Sequence, residues 1–454
     1  MKHNPLAGYG GISVSVFSWI KSINQFLWSG PLLFLLMGSH LYFTMKLHFP
    51  QKNIWKAIKL SLLPSGNGKQ QNLSAFATLS ATLAATLGTG NIVGVSTAIA
   101  LGGPGAIFWC WITGILGMAT SYAECFLSVR FRSIGPDGSY QGGPMYLWQN
   151  GLQRPLTGKF YGLLTLLAAF LVGCTTQSNS IVQTTTLTFG FHPHVVGILA
   201  AVLSGMVIVG GIRSIGSVCQ RLVPVLAILY IGACLVLLFL NREALFPAVR
   251  LILADALLPR SVLVGAASSS LIQTARYGIA RGLFTNEAGI GTAAITAAAS
   301  EATEPSYQAY VSMTAVFWDT VVMCLLSGLV IVTNMILRPA SLSGVGTAGL
   351  TDAAFSALPY GNLFLSLCLC AFAITTLIGW SYLGEQAYCY VTGNRFLFCY
   401  KVAYIVMIYL GAVMPLNLVW ECTDLINALM VLPNLAALFL LNRHLSCNFP
   451  KRPV

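Results

Sequence analysis

Charged residues are scarce in this sequence. Only 8% of its 454 residues are Asp, Glu, Lys or Arg, whereas 56% are hydrophobic. A soluble domain carries about 25% charged residues and keeps them on its surface. The shortage therefore excludes a water-soluble globular protein, and it predicts an all-α polytopic membrane protein in a lipid bilayer.

The sequence also lacks the residue sets that a membrane-embedded enzyme needs. It contains no His-x-x-x-x-Asp or His-Glu-x-x-His cluster, and none of its six histidines lies in the middle of an apolar run after the first one. Seven of the twelve cysteines stand singly inside apolar runs, which is typical of buried small hydrophobic residues and not of a disulfide framework. We therefore expect neither an enzyme nor a cofactor.

Apolar runs long enough to cross a membrane recur along the chain. Spanning a hydrocarbon core of ~30 Å takes about 20 residues, and we predict eleven such helices, lettered a to k. They cover residues 31–48, 76–101, 104–129, 160–189, 195–212, 222–240, 266–299, 307–337, 361–391, 397–414 and 418–441. The apolar stretch 12–28 is interrupted by Lys21 and Asn24, so we interpret it as an interfacial helix.

The net charge of +12 follows a membrane topology, so we predict no nucleic-acid partner. If the C-terminus is cytoplasmic, 16 of the 24 Lys and Arg residues fall in cytoplasmic segments. Basic residues concentrate on the cytoplasmic side of membrane proteins. The pattern predicts a protein of the cell inner (cytoplasmic) membrane with its N-terminus outside and its C-terminus inside, although Arg242, Arg250 and Arg260 share one outer loop.

Two predicted helices are interrupted by glycine and asparagine near their midpoints. Helix b contains LGTGNIVG at 87–94, and helix g contains FTNEAGIGT at 284–292. Glycine clusters also occur where membrane helices pack closely, but the second one includes Glu287, and a charge at membrane depth indicates a functional site. A stretch without regular helix at that depth has to line a cavity or a binding site.

The two interruptions predict an internal repeat. With helix a set aside, b and g each open a set of five helices, which indicates a 5+5 inverted-repeat transporter with its site at the midplane. We divide the chain into an N-terminal segment 1–73 (interfacial helix, additional helix a and a basic cytoplasmic loop), a first repeat 74–240, a second repeat 266–441 and a cytoplasmic tail 442–454. A channel would not require two matched discontinuous helices.

Six motifs in order resemble those of the alanine/glycine:cation symporter family, also called sodium:alanine symporters. They are GTGNIVGVSTAIALGGPGAIFWCW (88–111), YQGGPMY (140–146), QSNSI (177–181), RGLFTNEAGIG (281–291), DT (319–320) and TTLIGWSYLGE (375–385). The chain departs from the family pattern at Thr292 to Ala294, where Ser-Ala-Pro is expected, and at Leu383, where a second Tyr is usual. Because of these departures, the sequence defines the substrate less closely than it defines the family.

The resemblance implies a leucine-transporter-type inverted-repeat fold. It also implies secondary active transport, in which a small neutral amino acid, alanine or glycine, enters the cell together with sodium by alternating access. Proton coupling and a broader amino-acid specificity are the alternatives that stay open.

An amino acid brings a carboxylate and an ammonium into the site, and each needs its own partner. The half-helix after the first break offers unpaired N–H groups and the positive end of its dipole, so we predict that Thr89, Gly90 and Asn91 bind the carboxylate. The resemblance implies that carbonyl groups from Phe284 to Asn286 receive the ammonium.

Four further side chains complete the predicted pocket. Gln177 and Asn179 in helix d offer amides to the polar groups of the substrate, with an interhelical hydrogen bond as the alternative role. Trp380 in helix i and Phe284 in helix g would enclose the substrate's side chain, unless they only pack against neighbouring helices.

Sodium requires several hard oxygen ligands, and the adjacent hydroxyl groups of Thr375 and Thr376 offer two. The resemblance implies that they face the carbonyl groups of Ala84 and Leu87. Hydroxyl groups that bond only to their own helix are the alternative. Four embedded acids, Glu124, Glu287, Asp319 and Glu385, are at least as well explained by ion pairs or caps, with Arg276 and Arg281 as suspected partners of Glu287.

Overall fold

A computed structural model of the chain describes residues 11–62, 73–135, 138–258, 271–342, 345–414 and 416–450. These residues are almost entirely helical, which confirms the all-α class, and their one strand pair joins Ser133–Ile134 to Tyr140–Gln141 in antiparallel register. Residues 1–10, the predicted repeat start at residue 266 and the end of the tail, 451–454, lie outside the described residues.

Twenty α-helices form the described part of the molecule. They are α1 (Gly11–Ser29), α2 (Pro31–Lys46), α3 (Ile54–Ser61), α4 (Ala75–Thr86), α5 (Val95–Gly102), α6 (Ala106–Arg130), α7 (Pro144–Tyr146), α8 (Pro155–Ala168), α9 (Thr176–Phe189), α10 (Pro193–Val209), α11 (Gly211–Leu240), α12 (Arg242–Leu257), α13 (Leu271–Asn286), α14 (Thr292–Ala298), α15 (Pro305–Val316), α16 (Leu325–Leu337), α17 (Leu350–Phe355), α18 (Gly361–Thr392), α19 (Leu397–Val413) and α20 (Leu416–Leu440).

Seven continuous helical stretches within the described residues are long and apolar enough to cross a membrane. They are Ser18–Lys46, Ala106–Arg130, Pro155–Phe189, Gly211–Leu240, Pro305–Leu337, Gly361–Thr392 and Glu421–Leu440. An eighth crossing is formed if α4 and the helix after it are one span, bent by 51° at a short break. The apolar helices α10 and α19 are shorter, at 17 residues each. The predicted total of eleven therefore stays a prediction.

The N-terminal stretch that we predicted as interfacial is helical in α1, and only Gly30 separates it from α2. The two helices together make the candidate span Ser18–Lys46. Asn24 ties α1 to α20, because its amide Nδ2 donates to the carbonyl oxygen of Glu421 at 2.8 Å and to its carboxylate Oε2 at 2.7 Å.

The two discontinuous helices lie side by side and run in opposite directions. At one end the Thr274 hydroxyl of α13 donates to the Gly102 carbonyl of α5 at 2.7 Å. At the other end the hydroxyl oxygens of Thr82 in α4 and Thr296 in α14 are 2.7 Å apart. The backbone of Leu73 also pairs with residues after α14. The breaks consequently meet in the middle of this antiparallel pair.

Wide π-helical turns interrupt several long helices close to these breaks. They cover Gly90–Gly94 before α5, Ala169–Thr175 between α8 and α9, and Phe317–Cys324 between α15 and α16. Such turns leave main-chain groups displaced from the regular helical ladder and are frequent at functional sites. The region of these three turns is therefore the candidate functional site.

Candidate functional site

The first break begins where α4 ends at Thr86. Leu87 is in an extended conformation (φ −72°, ψ 95°), and helix resumes only through the wide turn Gly90–Gly94. Gly88 and Thr89 lie between Leu87 and this turn. Thr89 is fully buried, and its hydroxyl oxygen has no hydrogen-bond partner among the described residues. A buried hydroxyl without a partner is costly, so this oxygen is available to a ligand.

The second break follows α13 and uses left-handed backbone. Gly289 and Gly291 have φ values of 99° and 98°, which glycine adopts readily. Glu287 has φ 54°, a conformation that a side chain with a Cβ adopts only at a cost of about 1–3 kcal/mol. The Thr292 hydroxyl bonds to the Glu287 carboxylate and helps to hold this conformation. Such strained positions cluster at binding and switch regions.

The two breaks touch each other through Gly90. A Cβ added at Gly90 would lie 2.6 Å from the Cγ2 methyl of Thr285 and 3.3 Å from the ring of Phe284. Since carbon atoms do not approach that closely without displacement, only glycine permits this contact. The structure therefore brings the predicted residues Gly90 and Phe284 together.

The predicted amide of Gln177 reaches the first break. A Cβ added at Gly88 would be 3.2 Å from Gln177 Oε1, and that oxygen is buried without a hydrogen-bond partner among the described residues. Asn179 does not join it. Its Nδ2 donates to the carbonyl oxygens of Met414 at 2.7 Å and of Gly411 at 3.3 Å, which is the interhelical role that was the alternative.

Trp380 is fully buried and lies between helix d and the second break. A Cβ added at Gly173 would be only 2.1 Å from the Cβ of Trp380, so the indole rests directly on this glycine. Trp380 also lies close to the Glu287 carboxylate of the second break. Phe284 is partly buried, and the guanidinium carbon of Arg281 lies 5.7 Å from its ring centroid.

The side chain of Asn91 connects the first break to Asp319, a role that was not predicted from the sequence. Its Nδ2 donates to Asp319 Oδ1 at 2.6 Å and to the Asp319 carbonyl oxygen at 3.1 Å, while its Oδ1 accepts from the Gly88 N–H at 3.3 Å. The Thr320 hydroxyl donates to the second carboxylate oxygen at 2.8 Å. Asp319 thus fixes the loop of the first break through Asn91. In the sequence, the DT motif at 319–320 pointed to this position.

The side chain of Asn286 stabilises its own loop. Its Oδ1 accepts the N–H of Ala288 at 3.0 Å, whereas its Nδ2 faces α6 near Gly117 and has no partner among the described residues. The predicted role of the main-chain carbonyl groups of this segment in substrate binding stays a prediction.

The four residues predicted to hold sodium are buried, and three of them, Thr376, Leu87 and Ala84, lie where α18 meets the first break, whereas the Thr375 hydroxyl bonds to its own helix. Thr376 on α18 donates to the Leu87 carbonyl at 3.1 Å and to the Phe372 carbonyl at 3.0 Å, so its hydroxyl is shared between the first break and its own helix. Thr375 donates to Phe372 at 2.8 Å. A Cβ added at Gly379 would be 3.2 Å from the carbonyl carbon of Ala84, which brings α18 against the end of α4. Neutral oxygen atoms of this kind suit a hard monovalent cation.

The suspected pairing of Glu287 with arginine is not what the structure shows. The Glu287 carboxylate interacts with Thr292 and Trp380, and Arg281 lies 3.8 Å from Asp424. Glu385 forms an ion pair with Lys401 at 3.4 Å, which is one of the roles predicted for the embedded acids.

Comparisons with known proteins show the family of the chain and a structure with its fold. The family model described as the sodium:alanine symporter family matches residues 13–449. The sodium/alanine symporter AgcS of Methanococcus maripaludis is 39% identical over 433 residues, 94% of each chain. The probable sodium/glutamine symporter GlnT of Bacillus subtilis is 34% identical over 92% of this chain and 87% of the relative. A solved Na+-coupled sialic acid symporter has the same fold, with a TM-score of 0.58 and 13% identity over 90% of this chain and 85% of that one.

Proposed function

The chain belongs to the sodium:alanine symporter family, and from that premise we propose that it imports a small neutral amino acid, alanine or glycine, together with sodium. The observation that carries the proposal is the pair of buried, unpartnered oxygen atoms beside the first break, Thr89 Oγ1 and Gln177 Oε1. Polar atoms that are buried without a partner fit a ligand that supplies one. The small size of the ligand follows from the bulk of Trp380 and Phe284 beside the breaks.

In this proposal each part of the amino acid has its own partner. The N–H groups from Thr89 to Asn91 bind the carboxylate at the start of a half-helix. The carbonyl groups from Phe284 to Asn286, at the end of α13, accept from the ammonium. The ammonium is a donor and Gln177 Oε1 an acceptor, so the two can also pair. Asn179 contributes indirectly, by holding α9 against α19.

The proposed cation site joins the two parts of the molecule that must move together. Sodium bound by Thr375, Thr376 and the carbonyl groups of Ala84 and Leu87 would replace the hydrogen bond from Thr376 to Leu87 with direct ligation. It would therefore stabilise the first break in the conformation that binds the amino acid, which is the physical basis of coupling.

We further propose the 5+5 inverted repeat with eleven spans and alternating access around the two breaks. Its support is the antiparallel contact of the discontinuous helices, from Thr274–Gly102 at one end to Thr82–Thr296 at the other. A broader substrate range is the second candidate, because one relative is named a probable sodium/glutamine symporter.

Purified protein in liposomes tests the function directly. We expect labelled alanine and glycine to accumulate inside against their own gradient when sodium is present outside, and not when it is replaced by potassium. Equilibration without accumulation would indicate a channel, chemically altered substrate would indicate an enzyme, and accumulation driven by a pH gradient alone would indicate proton coupling.

The topology can be tested with reporter fusions. The uneven distribution of Lys and Arg predicts that residue 454 is cytoplasmic and that the N-terminus is outside the cell. A fluorescent protein fused after residue 454 should fluoresce, and a cysteine added before residue 2 should react with an impermeant reagent on intact cells. Termini on the same side of the membrane would refute both the orientation and the odd number of spans.

Removal of both hydroxyl groups at the cation site should weaken sodium and leave folding intact. In Thr375→Ala with Thr376→Ala, we expect the sodium concentration for half-maximal uptake to rise about tenfold or more, because hydrogen bonds and ligation to charged groups contribute about 1.5–3 kcal/mol each.

A matched control for this variant is Thr333→Ala, since Thr333 is also fully buried on a membrane helix and bonds to its own helix at Val330. It should leave the sodium dependence of uptake as it is in the wild type. If the double variant also shows the wild-type dependence, sodium does not bind at α18.

A further inference from the structure

Three polar side chains form a buried layer that the proposed transport site does not use. His40 on α2, Glu124 on α6 and Asn434 on α20 each stand six residues before the last residue of their helix, and all three are fully buried. With a rise of 1.5 Å per residue, the layer lies about 9 Å from those helix ends. Polar groups at this depth are costly and mark functional positions.

The layer holds the main chain of the second break. Glu124 Oε1 accepts the N–H of Gly289 at 2.9 Å and the Nδ2 of Asn434 at 2.6 Å. Asn434 Nδ2 also donates to the Gly289 carbonyl at 2.9 Å. Both polar groups of one break residue are therefore bound by side chains from two other helices, so any movement of the break has to release or carry this clamp.

Several atoms of the layer have no hydrogen-bond partner among the described residues. They are Glu124 Oε2, His40 Nε2 and Asn434 Oδ1, and the neighbouring Asn286 Nδ2 is also without a partner among the described residues. A Cβ added at Gly117 would lie 3.7 Å from His40 Nε2 and 3.9 Å from Asn286 Nδ2, and one added at Gly289 would lie 3.8 Å from His40 Cε1. Gly117 and Glu124 are seven residues apart on one face of α6, so these unsatisfied atoms share one buried region.

Within the part of the chain that the structure describes, no Lys or Arg forms an ion pair with Glu124. The titratable groups that act on Glu124 or are acted on by it are Glu287 in the second break, Tyr161 from α8 and Cys125 on its own helix. The other ionisable side chain at the layer is His40, whose Nδ1 is 2.8 Å from the Thr120 hydroxyl. A buried charge has to be paired or neutralised, and a proton on Glu124 Oε2 would do so and turn an unsatisfied acceptor into a donor.

We propose that Glu124, which shares this buried layer with His40, is a proton-binding site that controls how firmly the second break is held. As a carboxylate, Glu124 accepts the N–H groups of Gly289 and Asn434 in charge-assisted bonds, which are roughly twice as strong as neutral ones. When it binds a proton from the aqueous phase, the same bonds become neutral and the clamp loosens. The inference rests on the proposed function only because transport serves as one of its readouts.

Glu124→Gln tests the proton site while keeping the clamp. The glutamine oxygen can accept the same two N–H groups, but it cannot take up a proton. We expect wild-type uptake to change about threefold or more between about pH 5 and 8, a range that lies above the ordinary pKa of an exposed glutamate and includes that of histidine. The variant should transport with a flat profile over that window. A profile that follows the wild type would overturn the proposal.

Glu385→Gln is the matched control, because Glu385 is a carboxylate on the membrane helix α18 that is ion-paired with Lys401, whereas Glu124 is bound to Gly289 of the break. It should retain the wild-type pH profile. If the wild type shows no sodium-dependent uptake at any pH, the proposed function is contradicted. The proton site is then tested by the infrared experiment, which does not depend on transport.

Infrared spectroscopy needs neither transport nor a stable Glu124 variant. A protonated buried carboxyl group has its own C=O stretching band, separate from that of carboxylates. In purified protein, His40→Gln should shift or weaken that band, because it replaces the ring that lies beside Gly289. The same change of the band should appear when His40→Gln is combined with Glu385→Gln. If His40→Gln leaves the band unchanged, the two residues do not share a proton-binding site.

Discussion

Gly90→Ala should abolish sodium-dependent uptake of alanine and glycine alike. The added Cβ would stand 2.6 Å from the Thr285 methyl, a buried β-branched side chain that has little freedom to turn away. The first break would have to move off the second one, and the N–H groups that receive the carboxylate would move with it. Overpacking costs about 1–3 kcal/mol, which corresponds to a loss of roughly 5- to 150-fold in affinity.

The control for this variant is Gly232→Ala on α11, where an added Cβ meets no atom within 4 Å. It should transport like the wild type. Binding should be measured by isothermal calorimetry on purified protein at saturating sodium, so that a folding defect is recognised from the size-exclusion profile. If Gly90→Ala binds alanine with wild-type affinity, the contact between the breaks is not part of the binding site.

The sequence predicted the discontinuous helices because their cause is local. Glycine lowers helix stability and allows positive φ, so LGTGNIVG and the glycines around Glu287 mark the places where helix stops. The structure has the breaks there, at Leu87 and at Glu287. The proximity of Thr376 to Leu87 was also accessible, since it followed from the resemblance and needed no detailed packing.

Side-chain direction was not accessible from the sequence. Asn179 and Gln177 are two residues apart, and a helix rotates by about 200° over two residues, so they face different neighbours. One reaches the first break and the other reaches the end of α19. Similarly, only the packing of distant helices could reveal that Asn91 is bound by Asp319, 228 residues away, or that Gly173 supports Trp380.

The number of spans illustrates a second limit. Hydropathy alone divides the chain into eleven apolar runs, yet seven of the described helical stretches are long and apolar enough by themselves. The remaining runs are short or interrupted, and α13 with α14 is interrupted by the residues that the site needs. A broken helix thus weakens the very signal that identifies it as a span.

Trp380→Leu should change which amino acids bind. The indole is fully buried between Gly173 and Glu287, so a smaller side chain leaves space that a larger substrate can fill. Relief of overpacking should improve valine and leucine by about tenfold or more. Alanine should weaken by about fourfold, because a buried methyl group loses contacts that contribute about 0.8 kcal/mol.

Competition binding of alanine, valine and leucine in the presence of sodium measures this effect. Trp148→Leu is the matched control: Trp148 is also a buried tryptophan, its indole N–H donates to the Pro433 carbonyl at 3.0 Å, and it is not one of the two aromatic residues predicted to enclose the substrate. It creates a similar void and should lower thermal stability without altering the order of preference. An order that Trp380→Leu leaves unchanged would mean that Trp380 packs between helices and does not contact the substrate, and the predicted exclusion of large side chains would then have to come from Phe284.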